Sequence, residues 1–171
     1  TDVALEFTST KRPKSPIDDL LPLAGLKGLN RLAIEAVPTT DIHWEILPSL
    51  PALESFKVEQ CGLTDAVFAQ LSYTKLKILE INSEPAITGE GIEALATAKS
   101  LIHLMFMSNQ PSQEGLRQIG KLEGLVRLSL SGSRNNLKDE HLPLLAGLKN
   151  LDYFTMVRTA ITLQALTGMK Q

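Results

Sequence analysis

Cysteine is nearly absent: Cys61 stands alone in a chain of 171 residues, so an intramolecular disulfide and a cysteine-rich zinc site are both excluded. No run approaches the roughly 18 consecutive apolar residues that a membrane-spanning helix requires. The first residues, Thr1-Asp2-Val3-Ala4-Leu5-Glu6-Phe7, lack the basic and then apolar layout of a secretory signal. They also lack an initiator methionine, and we expect a fragment of a longer protein. An excess of charge of either sign is missing too, with 17 basic against 19 acidic residues. A formal net charge of -2 supplies no general drive toward nucleic acid. With 43% hydrophobic and 21% charged residues, the chain has the composition of a folded domain rather than of a disordered segment. These absences leave the cellular compartment open.

What is present is a repeat. Leu26-x-x-Leu29-x-x-Leu32-x-Ile34 returns as Leu50-x-x-Leu53-x-x-Phe56-x-Val58 and, shortened, as Leu76-x-x-Leu79-x-Ile81. It returns again as Leu101-x-x-Leu104-x-Phe106, Leu122-x-x-Leu125-x-x-Leu128-x-Leu130 and Leu148-x-x-Leu151-x-x-Phe154-x-Met156, with a truncated copy at Leu5-x-Phe7. The anchors Leu5, Leu32, Phe56, Leu79, Leu104, Leu128 and Phe154 lie 27, 24, 23, 25, 24 and 26 residues apart. Each unit holds a short period-2 alternation, the pattern of a strand. A polar start signal and a helical run follow: Thr64-Asp65 before 66–71, Thr88 before 90–96, Ser112 before 113–119 and Asp139 before 140–146. Strand and crossover helix in alternation dictate a parallel sheet with right-handed connections. Gly25, Gly28, Gly124 and Gly147 fall where helix returns to strand, and we expect them to relieve tight turns there. Pro48 and Pro51 should end the second helical segment early.

The stretches Cys61-Gly62-Leu63-Thr64-Asp65 and Thr159-Ala160-Ile161-Thr162 resemble the x-x-(T/C)-x-I-T-D-x-G-L segment of leucine-rich repeats, most closely the bacterial and cysteine-containing-like kinds. The resemblance runs from Leu5 to about Leu166. It implies an α/β right-handed solenoid, one domain over residues 1–171, with about seven short strands on a concave face and helices on the convex one. The position after each strand is Thr10, Val37, Cys61, Glu84, Asn109, Ser133 and Thr159. In the family such side chains bond the backbone of neighbouring coils. Val37 and Glu84 cannot do so in the usual way, so irregularity is expected at the second and fourth coils.

Residues between the strand leucines point away from the core, and successive coils set them in rows about 4.8 Å apart. The N-terminal part of that face carries Glu6, Glu35, Glu59 and Glu80, relieved by Arg31 and Lys57. The C-terminal part is free of acids and displays Met105, Met107, Tyr153 and Val157 beside His103 and Arg127. Adaptable methionines beside an aromatic suit a binding surface. A partner would bring basic groups to the first half and apolar groups to the second.

Chemistry finds little support. His43, His103 and His141 lie in no metal-ligand spacing, and His43 and His141 open helical runs, where capping or solvation is their expected role. Cys61 belongs to the ladder as a small buried residue rather than a nucleophile. Glu35 and Glu59 are row neighbours on an open face, which allows a weak cation site and disfavours an acid/base pair. Gly25-Leu26-Lys27-Gly28 follows a helix instead of preceding one, the wrong context for a phosphate loop. Lys11, Arg12 and Lys14 flank Pro13 without interleaved aromatics and read as a solvated loop. Trp44 reads as core or helical-side packing. No cofactor and no metal are expected.

A solenoid exposes its interior unless its ends are capped. The first strand starts almost at once, and the chain stops after Leu166-Thr167-Gly168-Met169-Lys170-Gln171. A fragment, a module that self-associates through uncapped ends, and unconventional caps are the alternatives, with the fragment favoured. The expected function is a non-enzymatic protein-protein interaction module that binds another protein on the concave face. Its alternatives are an enzyme inhibitor or regulator, and the targeting domain of a larger enzyme whose catalytic part lies elsewhere.

Overall fold

Alternation within each unit produces five-residue strands in the computed structural model, which describes residues 3–8, 21–96, 99–131 and 137–167. These are β1 (Ala4–Thr8), β2 (Arg31–Glu35), β3 (Ser55–Glu59), β4 (Ile78–Asn82), β5 (His103–Met107), β6 (Arg127–Ser131) and β7 (Tyr153–Val157). They form one parallel sheet in strict chain order. The register pairs Leu32 with Phe56, Phe56 with Leu79, Leu79 with Leu104 and Leu104 with Leu128. Those five side chains, and the second column of Ile34, Val58, Ile81, Phe106 and Leu130, are almost wholly excluded from solvent. At the sheet edges burial weakens: Leu5, Phe154 and Met156 are half-buried and Phe7 is exposed. Burying a leucine-sized side chain contributes about 1.5–3 kcal/mol, so the inner coils carry most of the hydrophobic stabilisation.

The return segments are shorter and tighter than the helical runs foreseen. Three are α-helical, α1 (Val67–Leu71), α2 (Gln113–Ile119) and α3 (Leu163–Thr167). The others, Leu21–Gly25, Asp41–Ser49, Ile92–Leu95 and Asp139–Leu145, wind as 3-10 turns, a form used in short pieces. Pro48 does not end its segment, which continues to Ser49. Proline removes a single donor, and Leu50 N–H still reaches the Leu47 carbonyl at 3.0 Å.

Ser112 caps α2 as foreseen, its hydroxyl accepting the Gly115 N–H at 2.9 Å. Asp65 and Asp139 do something else: each reaches forward into the next coil. Asp65 accepts the backbone N–H groups of Thr88 and Gly89 at 3.0 and 2.9 Å. Asp139 accepts Thr162 N–H at 2.7 Å and its hydroxyl at 2.8 Å. Start signals for one coil therefore fasten the next. His43 and His141 instead accept, through Nδ1, the backbone N–H three residues earlier, at Thr40 and Lys138, each at 3.0 Å.

The glycines also act differently from the expectation. Nothing crowds Gly25 or Gly28. At Gly147 a Cβ would overlap the Gly120 carbonyl oxygen, at Gly120 that of Leu144, and at Gly115 that of Thr88. At Gly124 it would press on the Lys99 carbonyl oxygen at 3.2 Å. Close approach of neighbouring coils, rather than turn conformation, demands glycine here. Residues with positive φ are largely non-glycine and recur just after strands: Ala36, Gln60, Ser83, Ser108 and Arg158, with φ from 54° to 59°. Left-handed backbone at such residues costs about 1–2 kcal/mol each. Stacking offsets it, since Ala36 N–H meets the Glu59 carbonyl at 2.8 Å and Ser83 N–H that of Met107 at 2.9 Å.

The ladder after the strands is continuous where irregularity was expected. Asn109 is fully buried; its Nδ2 donates to the Ile81 carbonyl and its Oδ1 accepts Glu84 N–H, both at 2.8 Å. Glu84, equally buried, passes the link backward by accepting N–H groups from Cys61 at 2.5 Å, Gly62 at 2.7 Å and Leu63 at 2.9 Å. Cys61 Sγ lies 3.3 Å from the carbonyls of Ile34 and Glu59. A glutamate thus fills the asparagine role with a longer arm, correcting the expectation for the fourth coil. At the second coil Val37 is purely apolar core. Thr39 takes over there: its hydroxyl donates to the Cys61 carbonyl at 3.1 Å and accepts from Trp44 Nε1 at 3.0 Å. Trp44 itself is fully buried and meets Phe56 edge-on, with ring centroids 5.4 Å apart. Of the other ladder positions, Thr10 and Ser133 lie outside the described residues, as do Lys11, Arg12 and Lys14.

Candidate interaction surface

Register decides which outward side chains become neighbours. Across β2, β3 and β4 it sets Ala33 beside Lys57 and Lys57 beside Glu80, with Glu35 next to Glu59 and Glu59 next to Asn82. Lys57 bonds Glu35 directly. That bond, with Glu80 and Glu59 nearby, holds the Lys57 ammonium above the usual lysine range. The acidic half of the face is therefore a cluster organised around its own cation, with both partners of the ion pair about one-third exposed. Partly exposed pairs contribute little to stability, yet this one reduces the acidic attraction open to a basic partner. Asn82, half-buried at the end of this cluster, has an amide oxygen that is buried and without a hydrogen bond.

Across β5, β6 and β7 the register sets His103 beside Arg127 and Arg127 beside Tyr153; it sets Met105 beside Ser129 and Ser129 beside Thr155. Ser131 pairs with Val157, and Ser108 N–H, just past Met107, donates to the Ser131 hydroxyl at 2.9 Å. The foreseen apolar residues are thus not one contiguous group. Met105 and Met107 stand on one strand and Tyr153 and Val157 two strands away, about 10 Å across. Between them run Ser129 and Ser131, 7% and 3% exposed. Both serines face outward by alternation with core residues Leu128 and Leu130, so their burial reflects short side chains shaded by longer neighbours. The result is a trough with a serine floor, walled by Met105 and Met107 on one side and Thr155 and Val157 on the other. Tyr153 and Val157 are 56% and 41% exposed, while His103, Met105 and Met107 are half-buried. Arg127, exposed, closes one end. Sequence reasoning missed Ser129 and Ser131, since small polar residues signal nothing until the strands flanking them are placed.

Burial raises the Cys61 thiol to about 11, leaving it protonated near neutrality. Among the described residues no three metal-ligating side chains gather, and no helix is long and apolar enough to cross a membrane. An open depression of about 270 Å³ lies away from the sheet face, lined by Leu95, Lys99, Leu101, Lys121, Leu122 and Glu123 among others.

Comparison with solved structures places this arrangement. An internalin (InlF) from Listeria monocytogenes superposes with a TM-score of 0.50 at 20% identity, over 96% of this chain and 58% of its own. Internalin C2 from the same organism superposes with a TM-score of 0.62 at 21% identity, over 97% of this chain and 68% of its own. The fold is a leucine-rich-repeat solenoid. The chain spans rather more than half the length of the first of these structures. No family profile and no curated sequence matches it.

Proposed function

We propose that the chain is a non-enzymatic protein-recognition module, of the bacterial kind of leucine-rich repeat, that docks another protein on its open sheet face. The observation that carries this reading is the acid-free field over β5–β7: two methionines, a tyrosine and a valine around a shaded serine floor. Flexible methionine and rigid tyrosine together suit a surface that adapts to a partner while losing little entropy. The working surface is the C-terminal half of the face. Glu35, Lys57, Glu59 and Glu80 serve as a self-compensated flank.

The test pairs Met105→Glu with Tyr153→Ala in one variant and uses Tyr73→Ala, which alters an exposed tyrosine outside the sheet, as control. Proteins captured from extracts of the source organism should be retained by the wild type and the control. They should be lost from the double variant, whose circular dichroism stays native. Capture that survives in the double variant would sink this reading. A captured enzyme that loses activity on binding would make the module an inhibitor.

A further inference from the structure

We infer that the segment docking on β5–β7 carries an apolar side chain and a carboxylate about two residues apart. This rests on the reading of that field as the docking surface, and it assigns the chemistry of what docks. The argument begins with Arg127. Several cations beside the coils are held, Lys57 by Glu35, Lys77 by Glu54, Arg117 by Glu114 and Lys121 by Glu93, whereas the one on the acid-free field is not. Arg127 is exposed and makes no ion pair or side-chain hydrogen bond among the described residues. Its row neighbours are His103 and Tyr153, and the outward positions of β5, β6 and β7 include no Asp or Glu. A planar guanidinium with free donors is matched by a carboxylate, which takes two of its N–H groups at once.

The spacing follows from the strand. Arg127 and Ser129 are two residues apart on β6, about 6.6 Å along it. A partner segment lying extended over β6 would set a carboxylate against Arg127 and, two residues on, an apolar side chain over Ser129. There Met105 and Thr155 flank it. Tyr153, the row neighbour of Arg127 on β7, adds an aromatic side chain beside the charge. A basic segment is disfavoured at the same place by Arg127 itself.

The probes are three synthetic peptides, Ac-Leu-Thr-Phe-Thr-Asp-NH2 and its versions ending in Asn or Lys. They are titrated against protein labelled at the methionine methyls, with Met105 and Met107 as reporters. The Asp peptide is expected to shift both methyls and to bind about threefold to tenfold tighter than the Asn peptide, the range of a charge-assisted hydrogen bond at a partly exposed site. That preference should vanish in Arg127→Ala and turn toward the Lys peptide in Arg127→Glu, both substitutions at an exposed position. Equal binding of the Asp and Asn peptides, or preference for Lys by the wild type, would overturn the inference and leave the docking surface standing. If no peptide moves either methyl, the inference and the docking surface fall together.

Discussion

Glu84 accepts the backbone N–H of Cys61 at 2.5 Å across the boundary between two coils, and with it the N–H groups of Gly62 and Leu63. A fully buried carboxylate, with no cation bonded to it among the described residues, is thereby satisfied by three successive donors of a bend, an anion-holding arrangement supplied by the preceding coil. Since the Asn109 side chain fixes the Glu84 backbone in turn, three coils are tied through two side chains. Removing the Glu84 carboxylate strands the N–H groups of the buried Cys61 and Leu63.

Glu84→Ala should therefore destabilise the fold by about 3 kcal/mol or more, because each buried unsatisfied N–H costs about 1–3 kcal/mol. Relief of the carboxylate's own desolvation offsets part of this. Glu84→Gln keeps one acceptor oxygen and turns an NH2 group toward a donor, so its loss should be smaller but of the same sign. Urea unfolding measures both, and a loss under 1 kcal/mol for Glu84→Ala would show that the bend is satisfied some other way.

Much of this architecture was legible in the sequence, and the illegible remainder has a common cause. Leu32, Phe56, Leu79, Leu104 and Leu128 announce a strand column because alternation and spacing are local properties that survive stacking. Their outward neighbours follow automatically, so the three rows of the sheet face match the observed register. The use of Glu84, Asp65 and Gly147 could not be read in the same way. Their partners lie 20 or more residues away and become adjacent only once coils are stacked to within van der Waals contact. Asp65 looks like the start of its own helix and in fact fastens Thr88. Gly147 looks like a turn and in fact yields space to Gly120. For the same reason the trough at Ser129 and Ser131 emerged only with its walls.

Acidification should act on Glu84 in a direction opposite to the usual surface carboxylate. Burial raises its carboxyl above the ordinary 4.5, outweighing the three N–H groups that favour the charged form. The native state then holds a proton where the unfolded chain has lost it, and stability attributable to Glu84 rises as pH falls through the native value toward 4.5. The stability of the wild type minus that of Glu84→Gln should grow over that interval, other carboxylates cancelling. A difference that shrinks on acidification would mean the backbone donors win over burial.

Cys61 sets the alkaline limit by the same logic. Its thiol is raised from 9.0 to about 11, chiefly by burial, so its contribution is intact below 9.0 and is lost as pH rises toward 11. The loss is on the order of 3 kcal/mol, two pKa units at about 1.4 each. Wild type and Cys61→Ala should converge in stability over this range. At pH 8 a thiol reagent should react with Cys61 only as fast as the coil opens, and rapid labelling in native conditions would contradict the burial.

The coil contacts at glycine offer a separate test. Gly120→Ala and Gly147→Ala each force a Cβ against a backbone carbonyl that belongs to the helical layer of a neighbouring coil. Such overpacking costs about 1–3 kcal/mol. Gly28→Ala, where open space surrounds the added atom, should change stability by no more than about 0.5 kcal/mol. Thermal unfolding of the three variants ranks them, and equal melting temperatures would show that the coils separate without penalty.

Filling the trough should abolish docking without touching the core. Ser129 lies between Met105 and Thr155 and faces away from Leu128 and Leu130, so a Leu or Phe side chain there would occupy the space meant for the partner. Ser129→Phe is expected to weaken the Asp-ended peptide at least tenfold, a loss of about 1.4 kcal/mol. Its urea midpoint should stay near that of the wild type, since the added ring lies on the open side of the sheet. Ala33→Phe, at the same row position on β2, should leave peptide binding unchanged, because the acidic cluster separates it from the field. Equal weakening by both substitutions would move the docking surface from the trough to the face as a whole.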